Sequence, residues 1–221
     1  MTIVITLPKF INGEAEQIAQ LLHNPIAANH AFIDQNHVSA TFKSPTTMTN
    51  HTPNDINHEA TDINHEAIDL IHIRKPNCEI SELEDLIQSI PIECRNRLVL
   101  HDHHELAIKY HLFGVHLNSR NPKPPKGWKG SISKSCHSLE EVKEWKEKCN
   151  YVSLSPIFDS ISKKGYLSAF TSEEIKNAKR DGIIDEKVLA LGGVTFERLD
   201  EVKELGFGGG MILGDAWRNT K

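Results

Sequence analysis

Residues 187–214 read KVLALGGVTFERLDEVKELGFGGGMILG, and this stretch decides between the fold classes open to the chain. An apolar run at 187–191 ends in a pair of glycines, and a second apolar run follows at 209–213. Between them, Thr195 begins a segment with helical spacing of apolar residues, which predicts a helix capped by that threonine. A strand, a helix and a further strand in this order are typical of a parallel sheet with covering helices.

The same alternation extends over most of the chain. Further strands are predicted at 2–6, 68–73, 97–100, 113–117, 131–133 and 151–154. Helices are predicted at 11–22, from Ser81 (with Glu84 in capping-box spacing), at 105–110, from Ser138 to 148 and from Thr171 to 180. About eight strands favour the α/β class and a closed (β/α)8 TIM barrel. An open doubly wound sheet is the alternative, and the lack of a GxGxxG motif after the first strand disfavours it.

Residues 23–66 interrupt the alternation. The segment is rich in Asn, His, Thr and Pro, and its run DINHEA at 55–60 recurs at 62–67. Two copies are too few for a solenoid, which needs about three repeats. We therefore predict one TIM-barrel domain over 1–221 with a disordered His/Asn-rich inserted loop after the first helix. The loop lies away from the catalytic rim of such a barrel, so we expect little effect on chemistry. Its histidines could also bind transition metals.

Composition and charge exclude several classes of function. The chain has 221 residues, of which 38% are hydrophobic, and this is enough for one sizeable core. The net charge of −5 argues against a general nucleic-acid binder. No apolar run approaches the roughly 20 residues of a membrane span, and the start lacks the features of a signal peptide. The 4 cysteines show no CxxC spacing, which indicates reduced thiols in a cytoplasmic protein.

Glycines and polar residues follow the last three predicted strands, where parallel α/β folds gather their chemistry. Gly192 and Gly193 end the seventh strand, and glycine-rich sequence at 206–214 surrounds the eighth. Backbone N–H groups approach an anion closely at such turns, so the pair predicts a phosphate site; simple tight turns are the alternative. After the sixth strand, residues 160–163 offer hydroxyls and lysine to the same anion, or form a solvated loop.

Histidines and charged residues follow three other strands. His137 comes directly after the fifth strand, where an imidazole could move protons or have only a structural role. Arg74 and Lys75 follow the second strand, and His101 and Asp102 follow the third. His101 and Asp102 could bind a divalent metal, although one carboxylate is few for Mg²⁺. A surface histidine cluster is the alternative.

Together these strand ends resemble the thiamine phosphate synthase/TenI family. The matching pieces are Ile73-Arg74-Lys75, His101-Asp102, Gly114-Val115-His116-Leu117, Ser135-Cys136-His137-Ser138-Leu139-Glu140-Glu141, Ser155-Pro156-Ile157-Phe158, 160–163, Leu191-Gly192-Gly193 and 206–214. They stand in family order over about two thirds of the chain. Each piece is weak alone, and the ordered set is fairly specific.

The resemblance implies a (β/α)8 barrel, usually a homodimer, that binds a thiazole phosphate. It implies that the phosphate lies on Gly192, Gly193, Leu213 and Gly214. It implies that His137 is catalytic and that further substrate contacts come from Arg74, Lys75, His101, Ser135, Ser160, Ser162 and Lys163. Asp102 is the implied metal ligand, in the case that a metal is used.

The family has two kinds of activity. Its synthases use Mg²⁺ to join a pyrimidine diphosphate to the thiazole and expel pyrophosphate, whereas TenI-like tautomerases aromatise a carboxythiazole phosphate by proton transfer. For a synthase, Arg74 and Asp102 match, but Pro76 stands where a lysine is expected, His101 replaces an asparagine, and 118–121 lack the expected acid. The segment 136–141 is similar to the TenI segment that carries the tautomerase histidine.

We therefore predict a TenI-like thiazole tautomerase that requires no cofactor. A synthase that requires Mg²⁺ is one alternative, and a non-catalytic thiazole-phosphate binding or regulatory protein is another. The expected partners are a small phosphate substrate and a second copy of the chain, with neither nucleic acid nor membrane. Only about eight residues follow the last predicted strand, so we expect a missing or stunted last helix.

Overall fold

The computed structural model describes residues 1–23, 67–159 and 167–217. Its strands are β1 (Thr2–Ile5), β2 (Leu70–Ile73), β3 (Leu98–Leu100), β4 (Gly114–Leu117), β5 (Ser131–Cys136), β6 (Tyr151–Leu154), β7 (Val188–Leu191) and β8 (Gly209–Ile212). Its α-helices are α1 (Glu14–His23), α2 (Ile80–Ser89), α3 (Glu105–Lys109), α4 (Leu139–Trp145), α5 (Ser172–Arg180) and α6 (Leu199–Glu204). Short 3₁₀ helices lie at Ile92–Arg97, Lys146–Lys148, Phe196–Arg198 and Asp215–Trp217.

The eight strands form a closed parallel barrel in chain order. The barrel closes where β1 pairs with β8, with Val4 opposite Ile212. This confirms the predicted TIM barrel, and the closure excludes the open sheet. All carboxyl ends of the strands consequently meet at one rim, where the predicted site residues follow them.

The strands are buried on both faces. Side chains on the outer face, such as Ile71, Leu98 and Val188, pack under the helices. Inside the barrel lies a second apolar set consisting of Ile3, Ile5, Leu70, Val99, Tyr151, Leu189 and Met211. The interior is also polar, because His72 and His116 are buried there at 0% and 1% exposure.

Two of the four predicted helix caps are confirmed. Ser138 accepts a hydrogen bond from the Glu141 N–H group, and Thr171 forms a capping box with Glu174. The Ser81 cap was wrong, because Glu79 forms the capping box of α2 with Glu82 and places Ser81 inside the first turn.

The predicted cap at Thr195 was also wrong. Its side chain makes no cap hydrogen bond, and a 3₁₀ turn at Phe196–Arg198 precedes α6. The Phe196 N–H group donates instead to the Asp215 carboxylate at 2.9 Å. The first turn after β7 is therefore fixed by the segment that follows β8.

Two predictions concern the irregular parts of the chain. Residues 24–66, which hold nearly all of the predicted disordered insertion, lie outside the described residues. After β8, the described residues contain only the 3₁₀ turn Asp215–Trp217, and the Trp217 indole N–H donates to the Ile5 carbonyl at 2.7 Å.

In the part that the structure describes, no helix combines the length and apolarity that a membrane span requires.

Candidate active site at the carboxyl ends of the strands

The glycine turn after β7 has a conformation that requires glycine. Gly192 and Gly193 have φ angles of +91° and +66°. A Cβ atom on Gly193 would meet the Asp159 carbonyl oxygen and lie 2.7 Å from the Phe158 Cβ atom. The Phe158 N–H group donates to the Gly192 carbonyl at 3.0 Å. The turn is thus packed against the loop after β6, with no room for a side chain.

The turn after β8 lies beside it. Leu191 pairs with Met211 between β7 and β8, and Gly193 and Leu213 each lie two residues beyond that pair. The structure therefore brings the four predicted phosphate-binding residues to one edge of the rim, and the 196–215 hydrogen bond ties the two loops together. The N–H groups of Gly193 and Gly214 donate to no described residue. Phosphate binding itself stays a prediction.

His137 lies at the adjoining edge of the rim. Its exposed ring places Nδ1 3.3 Å from the Ser155 carbonyl oxygen and 3.2 Å from the Ser155 hydroxyl. Its backbone N–H group donates to the Glu141 carboxylate at 2.6 Å. Pro156, the next residue after Ser155, is in close contact with the turn at Gly192. The loop after β6, through Ser155 and Pro156, therefore connects the imidazole after β5 to the glycine turn after β7.

Three of the predicted substrate contacts, Ser160, Ser162 and Lys163, lie outside the described residues, and they stay predictions. The described chain stops and resumes at neighbouring points, because the Ser168 N–H group donates to the Asp159 carboxylate at 2.8 Å.

Lys75 does not lie in the position that its prediction requires. Its ammonium group is buried and contacts both Glu14 carboxylate oxygens, at 2.6 and 2.8 Å, together with the carbonyls of Leu7 and Lys9 at 2.9 and 2.8 Å. An ammonium group has three N–H donors, so none is left for a substrate. The reason is strand geometry, since neighbouring residues face opposite sides and only Arg74 is left to face the rim.

Asp102 and Arg120 form an ion pair at the end of β3. The Arg120 guanidinium donates to Asp102 Oδ1 from Nε at 3.0 Å and from Nη2 at 2.8 Å, and Asn121 adds a donor at 3.3 Å. Asp102 Oδ2 is buried without a hydrogen-bond partner among the described residues. The Arg120 guanidinium thus occupies Oδ1 of the carboxylate that a dication would need. Oδ2 alone is too few oxygen ligands for Mg²⁺. The described residues at this position do not fit Mg²⁺.

Three buried imidazoles, which we call the histidine layer, fill the barrel beneath this edge: His72, His101 and His116. His72 Nδ1 lies 2.9 Å from His101 Nε2, and His72 Nε2 lies 2.6 Å from the Tyr151 hydroxyl. The His101 and His116 rings are stacked with centroids 4.1 Å apart. Burial lowers the pKa of all three rings, to about 3 for His116, so all three are neutral at pH 7.

The histidine layer changes the interpretation of several predicted residues. His101 is only 5% exposed, so the surface-cluster alternative was wrong for it. The Ser135 hydroxyl lies 2.8 Å from His116 Nε2 and is already partnered. Arg74 is half-buried. Burial is the main cause that lowers the pKa of His101 and His116, and the charge of Arg74 is a smaller one. Arg74 therefore lies near the layer, and its contact with a substrate stays a prediction.

Sequence reasoning missed His72 as a functional candidate and gave His116 no role beyond a family motif. The available signal was a histidine at an inward-facing position of an apolar strand, in LIHI at 70–73 and GVHL at 114–117. Such positions in a barrel are usually filled by branched aliphatic residues.

Comparison with known proteins identifies the family of this barrel. The model of the family described as thiamine monophosphate synthase matches residues 45–213. A thiamine-phosphate synthase from Prochlorococcus marinus is 28% identical over 140 residues, which cover 59% of this chain and 38% of that protein. The corresponding protein from Halalkalibacterium halodurans is 24% identical over 134 residues, covering 58% and 63%. The chain thus spans less than two thirds of the length of these curated relatives.

Among solved structures, thiamine phosphate pyrophosphorylase from Bacteroides thetaiotaomicron is similar, with a TM-score of 0.73 and 33% identity over 100% of this chain and 86% of that one. The Pyrococcus furiosus protein of the same name, with a TM-score of 0.61 and 16% identity over 100% and 91%, supports the fold alone. The family model matches residues 45–213, and the barrel is similar to that of the Bacteroides thetaiotaomicron protein. The chain therefore belongs to the thiamine monophosphate synthase/TenI family of thiamine biosynthesis.

Proposed function

We propose that this protein is a TenI-like tautomerase that aromatises a carboxythiazole phosphate. The observation that carries the proposal is that His137 contacts Ser155, whose neighbour Pro156 packs against the glycine turn after β7. An exposed imidazole and a set of N–H donors without described partners share one edge of the rim. A phosphate on the turns would place the attached ring near the imidazole.

The chemistry needed is a proton transfer without oxidation or reduction. A proton on Nδ1 of His137, donated to the Ser155 carbonyl at 3.3 Å, leaves the Nε2 lone pair as the base. Nε2 removes a proton from a ring carbon of the unaromatised thiazole and returns it to the carbon that is protonated in the aromatic tautomer. One C–H bond breaks and another forms, so atoms and electrons balance. Such general acid–base help contributes about 10²–10⁴ in rate.

The phosphate end of the substrate has a separate role. The donors of Gly193 after β7 and of Leu213 and Gly214 after β8 hold an anion without a charged side chain. Their position is rigid because the turn after β7 is packed against Phe158 and tied to Asp215. Binding at a fixed anchor presents the ring in one orientation, which is the usual contribution of positioning to rate.

The direct test is to follow aromatisation of the carboxythiazole phosphate by ultraviolet absorbance. His137→Gln keeps a polar side chain of similar length but cannot exchange a proton, so kcat should fall by about 10²–10⁴ while KM changes little. His111→Asn is the matched control, because His111 is an exposed histidine that follows α3 at the opposite rim. Equal rates for wild type and His137→Gln would contradict the proposal. Substrate binding without turnover in the wild type would indicate a binding protein instead.

A synthase is the second candidate, because the similar proteins are named thiamine-phosphate synthases. The family in general uses Mg²⁺. Against this function stand the Asp102–Arg120 ion pair and the sequestered Lys75, which occupy groups that a magnesium diphosphate would require. The measurement is release of pyrophosphate from the pyrimidine diphosphate and the thiazole phosphate, with and without Mg²⁺. Rapid Mg²⁺-dependent release would establish the synthase.

We also propose that the active form is a homodimer, which light scattering of the intact chain tests.

A further inference from the structure

The histidine layer is unusual for the inside of a parallel barrel. His72, His101 and His116 are 0%, 5% and 1% exposed. Positions of this kind normally carry branched aliphatic side chains that fill the core. Burying three imidazoles costs free energy unless their nitrogens have partners, and such a partner can be a hydroxyl group or a metal ion.

The three rings converge on a common point. Each of His72, His101 and His116 offers one ring nitrogen, and these nitrogens lie within 4.8 Å of one another. Zinc–nitrogen bonds of about 2.0–2.1 Å in tetrahedral geometry place ligand nitrogens about 3.3 Å apart. The observed spacing brackets this value, since the His72–His101 nitrogens are 2.9 Å apart. Small side-chain rotations would complete the site.

Hydroxyl groups occupy the positions of outer partners. The Tyr151 hydroxyl contacts His72 Nε2 at 2.6 Å, so Nδ1 of that ring is the nitrogen turned toward His101. His116 contacts the Ser133 hydroxyl through Nδ1 at 2.9 Å and the Ser135 hydroxyl through Nε2 at 2.8 Å. One of these two bonds would be exchanged for a metal bond, and the other would orient the ring. Imidazole ligands usually have such a partner on the other nitrogen.

The donor set selects a class of ion. Three neutral imidazoles without a carboxylate or thiolate suit Zn²⁺, Co²⁺ or Ni²⁺ and do not suit Mg²⁺ or Ca²⁺. Because the charges of Arg74 and Lys134 act on His116 and oppose a dication, we expect weaker binding than at a structural zinc site. Three protein ligands also leave a fourth position open for water or an anion.

We propose that the histidine layer is a transition-metal site that binds one dication, Zn²⁺ foremost, through His72, His101 and His116. This site is separate from the Asp102 position, which does not fit Mg²⁺. It is also independent of the tautomerase proposal, because its occupancy is measured without any substrate.

The experiment is a titration of the intact, untagged chain with Co²⁺ and Zn²⁺. Calorimetry should show one equivalent of Zn²⁺ bound, and Co²⁺ should develop the intense visible absorption of a four- or five-coordinate ion. His116→Gln and His101→Asn should each weaken binding by more than about 100-fold, since loss of an outer partner alone costs about 10- to 100-fold. Tyr151→Phe, which removes only that outer hydroxyl, should weaken it by about 10-fold.

The histidines of the inserted segment require a matched control. Outside α1, which ends at His23, they are His30, His37, His51, His58 and His65. A variant with all of them changed to Gln should retain the Zn²⁺ equivalent and the Co²⁺ spectrum. Circular dichroism checks the fold of each barrel variant, and if those variants unfold, the Co²⁺ spectrum of the control variant decides.

Three results would overturn the proposal. The first is no binding by the wild type. The second is binding that the segment variant loses while the folded barrel variants retain it. The third is a saturated Co²⁺ spectrum that stays that of the six-coordinate aqueous ion.

Discussion

The two sides of the barrel rim differ in how their polar groups are already used. On the β2–β4 side, Lys75 is paired with Glu14, and Asp102 is paired with Arg120. On the β5–β8 side, the N–H groups of Gly193 and Gly214 donate to no described residue, and His137 is exposed. A ligand can bind only to polar groups that have no hydrogen-bond or ion-pair partner within the protein. The two sides of the rim therefore differ in their ability to bind a ligand. The comparison favours the β5–β8 side for the proposed anion site.

The largest expected effect concerns the buried pair on the β2–β4 side. Lys75→Met leaves the Glu14 carboxylate, 3% exposed, without its cation. Loss of one partner of a buried pair costs about 3–5 kcal/mol, so the free energy of unfolding in urea should fall by this amount. The double variant Glu14→Leu/Lys75→Met should recover most of the loss. The control is Lys109→Met, whose exposed ammonium group pairs with the half-buried Glu84, and it should change stability little.

An unchanged stability in Lys75→Met would mean that Lys75 is not sequestered. The predicted role in substrate binding would then deserve a second test.

A smaller effect is expected at the glycine turn on the other side. Gly193→Ala forces a side chain into the left-handed region and against Phe158, whereas Gly182→Ala meets the same φ strain, at +68°, with open space around it. The strain alone costs about 1–2 kcal/mol, and the clash adds about 1–3 kcal/mol. Thermal unfolding should therefore rank Gly193→Ala below Gly182→Ala, and Gly193→Ala should also raise KM for the thiazole phosphate. Equal melting temperatures would show that the turn is not packed as described.

The Asp102–Arg120 pair can be changed so that the β2–β4 side binds Mg²⁺. Arg120→Asp removes the guanidinium and adds a carboxylate beside Asp102, which should create a Mg²⁺ site from a group of residues that does not fit Mg²⁺ in the wild type. At about ten times the dissociation constant, Mg²⁺ should then stabilise the variant by about 1.4 kcal/mol. Arg180→Asp, at an exposed position, is the control. Stabilisation of the wild type by Mg²⁺ would contradict the interpretation of this pair.

The smallest effect concerns the support of His137. Ser138 caps α4 through the Glu141 N–H group, and Glu141 accepts the His137 N–H group. Ser138→Ala should cost about 1 kcal/mol of stability and also lower kcat for aromatisation. Thr171→Ala removes a comparable cap on α5 and should cost a similar amount of stability with kcat unchanged. If both variants had the same kcat, the cap would not position His137.

The parts of this structure that could be predicted are those that local sequence determines. The strands and the caps at Ser138 and Thr171 follow from short-range spacing, and the barrel follows from their number. The pairing of Lys75 with Glu14 spans 61 residues along the chain, and that of His72 with Tyr151 spans 79. Whether a side chain at a strand end faces solvent or another element depends on that element, and no local pattern reports it. Arg120 shows the same point, because an arginine in a loop gave no sign that it would hold Asp102.

The central claim is that the β5–β8 side acts on a thiazole phosphate while the β2–β4 side does not support a magnesium diphosphate. One preparation of the intact chain should be assayed for aromatisation of the carboxythiazole phosphate and for pyrophosphate release, each with and without Mg²⁺. We predict aromatisation that is independent of Mg²⁺ and lost in His137→Gln, with no pyrophosphate release. Mg²⁺-dependent pyrophosphate release together with an absence of aromatisation would contradict the account.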